Sequence, residues 1–109
     1  MERAICLVTF LALSVLVSPI RPVHAQGVGD PQGGLALAQQ VCSECHAVRK
    51  GEARSPNSRS PAFSELAATP GMTSIALMVA LTTPHAGMPM FMLTAEQRED
   101  IIAYILGLR

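Results

Sequence analysis

Hydrophobic and polar positions along the 109-residue chain fall into blocks of different period. Ala4 to Val17 is an almost uninterrupted apolar run of 14 residues. Further on, Leu35, Ala38, Val41 and Cys45 recur at helical spacing. Ahead of them stands Asp30-Pro31, a helix-capping residue followed by one that is tolerated at the first helical position. Together these predict a first helix from about Pro31 to His46. Gly33 and Gly34 weaken it by about 1 kcal/mol each relative to alanine. They mark either a frayed start or a point where another helix comes close, which a residue without a Cβ permits.

Ser60-Pro61 repeats the cap-and-proline signal before a short helix, Ala62 to Ala68, that must end before Pro70. Thr73 caps a third, in which Ile75, Leu77, Met78, Val79 and Leu81 are apolar nearly all round, so it is expected to be buried. Pro84 stops it at about Thr82. A last helix opens with the capping-box pattern Thr94-Ala95-Glu96-Gln97 and carries Ile101, Ile102, Ile105, Leu106 and Leu108 on one face. Tyr104, its one aromatic, is expected over the glycines of the first helix. Val48 to Ser60 and Thr83 to Met92 lack any period and are loops; a helix through the second would incur about 3 kcal/mol at an interior proline. No strand-like alternation stands out near the cysteines.

Composition changes the picture at the N-terminus. Arg3 gives a short positive start to the apolar run, and Val23-His24-Ala25 offers the compact residues at which a signal peptidase cuts. Residues 1–25 are therefore expected to be a cleaved signal peptide and 26–109 the exported domain. A retained anchor is the weaker alternative, because spanning a bilayer takes about 20 residues. Cys6 precedes the apolar run and does not suit lipid attachment. The expected mature portion holds six Lys and Arg against seven Asp and Glu, a net charge of −1. It has no basic stripe for nucleic acid. A domain this small builds a core with difficulty and usually leans on disulfides, metals or a cofactor.

The chemistry is carried by Cys42-Ser43-Glu44-Cys45-His46, a C-x-x-C-H run that reads as a c-type haem attachment site. Cysteines three apart reach one edge of a flat macrocycle from one helical turn, and His46 follows as proximal iron ligand. Other readings compete. A dithiol redox motif expects a thioredoxin-like βαβ surround. A zinc site needs further Cys or His ligands nearby, and outside the motif there are only Cys6, His24 and His85. A Cys42–Cys45 disulfide closes too small a loop to constrain the chain much. With a haem present, one of Met88, Met90 and Met92 becomes the natural sixth ligand, a soft thioether whose pairing with His suits electron transfer. Pro61 matters because a ligating histidine usually donates its other ring N–H to a carbonyl. Arg49, Lys50, Arg54 and Arg59 make the first loop basic, either simply solvated or set against an acidic partner or the haem propionates.

These segments resemble the class I, single-haem bacterial cytochromes c over essentially the whole expected mature region. The resemblance rests on Gly34-Leu35-Ala36-Leu37-Ala38, the Cys42 to His46 motif, Pro61-Ala62-Phe63, His85-Ala86-Gly87-Met88-Pro89-Met90-Phe91, and Leu93-Thr94-Ala95-Glu96-Gln97 leading to Tyr104. It implies an all-α, small cytochrome c fold of about four helices wrapped around one covalently attached haem c. It further implies thioethers at Cys42 and Cys45, His46 as proximal and Met88 as distal ligand, and Pro61, or else Pro56, as acceptor for His46. Ala38 stands where many members carry an aromatic, which leaves open what packs opposite Tyr104. His85 is expected on the surface or near a propionate, with iron ligation as its minor alternative. The implied function is a periplasmic carrier of single electrons between redox proteins, not an enzyme, and monomeric or a subunit of a redox complex. Its rivals are an obligate haem subunit of a periplasmic dehydrogenase or oxidase, and a haem peroxidase or gas sensor with an open sixth position.

Overall fold

The computed structural model describes residues 29–109; the expected signal peptide and its cleavage point lie outside the described residues. Four helices follow in order: α1 (Pro31–Val41), α2 (Phe63–Ala68), α3 (Ser74–Thr82) and α4 (Ala95–Leu106). Among the described residues there is no strand, only an isolated bridge between His85 and Met88. The fold is all-α, with the four helices expected.

Helix α1 starts where its cap dictates, with the Asp30 carboxylate accepting from the Gln32 N–H at 2.9 Å and Pro31 in the first turn. It ends at Val41, earlier than the spacing predicts, so Cys42 to Cys45 form a turn beyond it. Ser43 supplies the reason. Its hydroxyl donates to the Gln39 carbonyl at 2.7 Å, the acceptor its own N–H takes in an unbroken α-helix, and that N–H goes to Ala38 at 3.0 Å instead.

Helix α2 also departs from expectation at its start. Its N-cap is Ala62 and Pro61 stays outside the helix. Ala62 has no side-chain oxygen, but its N–H donates to the Glu65 carboxylate at 2.8 Å. The Phe63 N–H donates to the Ala47 carbonyl at 2.9 Å, so a tertiary contact sets the entry to the helix. The capping box of α4 forms as its pattern predicts: Gln97 N–H to Thr94 Oγ1 at 3.1 Å, and Thr94 N–H to Gln97 Oε1 at 2.9 Å.

Helices α1 and α4 cross at Gly34, where a Cβ would lie 2.0 Å from the Asp100 carbonyl oxygen and 2.9 Å from Tyr104 Cβ. Tyr104 does sit over the first helix, and the crossing is as close as the glycine suggests. A second tie holds the same junction, the Asp30 N–H donating to the Asp100 carboxylate at 2.7 Å. Ile101, Ile102 and Ile105 of α4 form the centre of the core with Ala38, Val48, Phe63, Ala67 and Leu77.

The expectation that α3 is buried all round does not hold. Leu77 is its one buried residue, while Ile75 is 75% and Val79 54% exposed. Composition makes a helix eligible for burial, but the packed neighbours decide it. Here Ala76, Leu77, Ala80 and Leu81 line a cavity, and Ile75 and Val79 border a shallow groove beside Ile102 and Leu106.

Candidate functional site

Beyond α1 the chain winds once more, His46 N–H reaching the Cys42 carbonyl at 2.9 Å and Cys45 N–H the same carbonyl at 3.1 Å. The next residues are pinned one after another. Cys45 O accepts from Asn57 N–H at 3.2 Å, Ala47 N–H donates to Ser55 Oγ at 3.0 Å, and Ala47 O accepts from Phe63. Val48 O accepts the Tyr104 hydroxyl at 2.6 Å. Four separate positions thus fix the stretch that carries His46.

The imidazole itself is oriented from two sides. Its Nδ1 lies 2.7 Å from the Pro61 carbonyl oxygen, a donor position for Nδ1–H that leaves Nε2 with a free lone pair. The Phe63 ring packs against it, centroids 5.5 Å apart and tilted by 51°. Phe63 in turn meets Tyr104 at 6.4 Å. The aromatic missing at Ala38 is therefore answered from α2, and a row of three rings runs from α4 to His46. That packing was not foreseen in the sequence, although Phe63 is one of only three Phe residues in the chain.

A cavity of about 480 Å³ opens against this wall, within the range of about 300–1,000 Å³ usual for small-molecule and cofactor sites. Cys42, Cys45, His46 and Pro61 line it together with residues of α3 and α4 and of the loop His85 to Phe91, Met88 among them. The loop turns at Gly87, whose φ of +84° suits glycine, and Met88 N–H donates to the His85 carbonyl at 3.3 Å. His85 shares the cavity, its Nδ1 3.1 Å from the Thr83 carbonyl. Met90 is half exposed and Met92 is 95% exposed; neither lines the cavity.

The residues on the wall fit a haem. Both cysteines are free thiols, and burial pushes the Cys42 thiol up to about 11. Among the described residues no three His, Cys, Asp or Glu side chains converge as a metal site would need. A largely apolar slot lined by two cysteines, a histidine and a methionine holds the residue types that a covalently attached porphyrin uses.

Comparison with known proteins agrees. Residues 29–105 match the family model described as cytochrome c oxidase, cbb3-type, subunit III. Over 107 residues the chain is 36% identical to cytochrome c-552 of Bradyrhizobium diazoefficiens, an alignment covering 98% of this chain and 94% of that protein. No solved structure matches it. With a four-helix fold, a C-x-x-C-H turn on a cavity of cofactor size, and this match over most of its length, the chain belongs to the cytochrome c family and is a monohaem c-type cytochrome whose cofactor is covalently bound haem c.

Proposed function

We propose that the protein is an exported carrier of single electrons, with Cys42 and Cys45 bonded to the haem, His46 as proximal ligand and Met88 as distal ligand. The observation that carries this reading is the common wall: Cys42, Cys45, His46 and Met88 all line one cavity. Attachment needs neither oxidant nor leaving group, because each thiol S–H adds across a vinyl C=C, sulfur bonding one carbon and hydrogen the other. When bound, the haem supplies a one-electron couple at iron.

The rest of the work falls to the polypeptide. Pro61 O holds the Nδ1 proton of His46 so that Nε2 faces the cavity. Phe63, Leu77, Ile101 and Ile105 keep water from that space. Leaving the periplasm's other proteins to act as donor and acceptor, such a carrier needs no substrate pocket and catalyses no reaction of its own. Among the described residues no helix is long and apolar enough to cross a membrane, and residues 1–25 serve as the export signal.

Intact mass and a pyridine haemochrome spectrum of the exported protein test this directly. The expected mass is that of residues 26–109 plus one whole haem. Colourless material, or haem removable by acidified solvent, overturns the reading. The family's description as an oxidase subunit favours a second reading, a haem subunit fixed in a larger periplasmic complex. Co-purification with that complex distinguishes it from a carrier that elutes alone.

A further inference from the structure

We infer that His85 is a standby axial ligand, whose Nε2 takes the iron when the Met88 thioether leaves it; this deepens the haem reading and rests on it. Among the described residues two histidines line the cavity, His46 and His85, and they share one feature. The Nδ1 of each lies at a backbone carbonyl oxygen, 2.7 Å from that of Pro61 for His46 and 3.1 Å from that of Thr83 for His85. An N–H donated there leaves Nε2 with its lone pair, the arrangement usual for a histidine that ligates a metal.

One short turn carries both donors. Met88 N–H donates to the His85 carbonyl at 3.3 Å, and the two residues form an isolated bridge, so a thioether and an imidazole arrive at the same cavity from the same loop. Other replacements fall away. Lys50, the one lysine in the chain, is not on the cavity wall. Met90 and Met92 are exposed and off that wall as well. Residues 26–109 hold no histidine besides His46 and His85.

The exchange breaks an S–Fe bond and forms an N–Fe bond, and moves neither electrons nor protons. Imidazole in place of the thioether lowers the potential. It also keeps the sixth position closed to small ligands once the methionine has gone.

The test uses the exported holoprotein as wild type, M88A, H85Q and M88A/H85Q. Ferric M88A should be low-spin with two nitrogen axial ligands at any dilution, and at a fixed potential its ferric-to-ferrous ratio should rise at least about tenfold over wild type. M88A/H85Q should be high-spin, and its ferrous form should bind carbon monoxide far faster than M88A does. Urea below the unfolding transition reaches the same state without M88A: wild type should lose its sulfur-to-iron band yet stay low-spin, whereas H85Q should turn high-spin. If M88A retains no haem, this comparison decides. A high-spin M88A, low-spin character that fades on dilution or survives in M88A/H85Q, or a low-spin H85Q in urea overturns the exchange. A colourless wild type sinks the haem reading itself, whereas a coloured wild type with a high-spin M88A sinks this exchange alone.

Discussion

Gly34 and Asp100 meet backbone to backbone, close enough that a Cβ on Gly34 would stand 2.0 Å from the Asp100 carbonyl oxygen. A carbonyl in the middle of a helix cannot step aside without moving the helix. Gly34→Ala should therefore cost at least the ~1–3 kcal/mol typical of an overpacked core. Gly33→Ala is the milder control, since its Cβ would meet carboxylate oxygens of Asp100 and Asp30 at 3.1 and 3.2 Å, contacts that a shift of a few tenths of an ångström relieves. It should stay within about 1 kcal/mol of wild type. Denaturant unfolding of the two variants decides the point, and equal stability would refute the close crossing.

Tyr104→Phe removes the hydroxyl from the Val48 carbonyl and should cost about 1–2 kcal/mol. The alkaline limb of stability should change as well. Burial first, and then the nearby Glu52, raise the Tyr104 phenol above its ordinary 10.0, with Arg49 and the Lys50 backbone acting the other way. Because the folded state disfavours the phenolate, Tyr104's contribution is complete below pH 10 and declines as pH climbs through the raised value. Y104F should lose that decline. A wild type and variant with parallel pH profiles above 10 would contradict the sign.

Phe63→Ala should destabilise the holoprotein by about 3–5 kcal/mol, since the ring is buried between His46 and Tyr104. Phe63→Leu keeps most of the volume and should cost less than about 1.5 kcal/mol. A position of imidazole set by Pro61 alone would leave the paramagnetic spectrum of the ferric haem unchanged in F63L. A spectrum that shifts shows that the ring also sets the plane.

The three methionines of the second loop should separate cleanly. Met88→Ala should abolish the near-infrared sulfur-to-iron charge-transfer band of the oxidised protein. Met90→Ala and Met92→Ala should keep it, and Met92→Ala, at a side chain 95% exposed, should alter stability by no more than about 0.5 kcal/mol. Loss of the band at Met90 or Met92 instead would reassign the ligand.

Local signals were legible where one turn of chain contains the whole device. Asp30-Pro31, Thr73 and the Thr94–Gln97 box could be read directly, as could the spacing of Cys42, Cys45 and His46, because partner and target lie within four residues. Gly34 hinted at a neighbour through the absence of a side chain. What stayed hidden depends on distant groups or on competition for one acceptor. The end of α1 turns on which donor takes the Gln39 carbonyl, and the start of α2 on a bond from Phe63 back to Ala47. The exposure of α3 depends on what lies beside it. Arg109 reaches the Ala67 and Met72 carbonyls, a tie to the end of α2 and the turn after it that no periodicity announces. Arg59 reaches the cavity wall through a turn at Asn57, whose own N–H bonds to the Cys45 carbonyl.

Among the described residues the ties around His46 have no counterpart around Met88. Residues 45, 47 and 48 are held from Asn57, Ser55, Phe63 and Tyr104, whereas the stretch around Met88 folds back mainly on itself through the His85 turn. Local opening follows the weaker set of bonds. On the proposed ligation, the two axial sides of the iron would then differ in lability: mild denaturant or high pH should exchange the methionine first, and the imidazole should let go only when the whole protein melts.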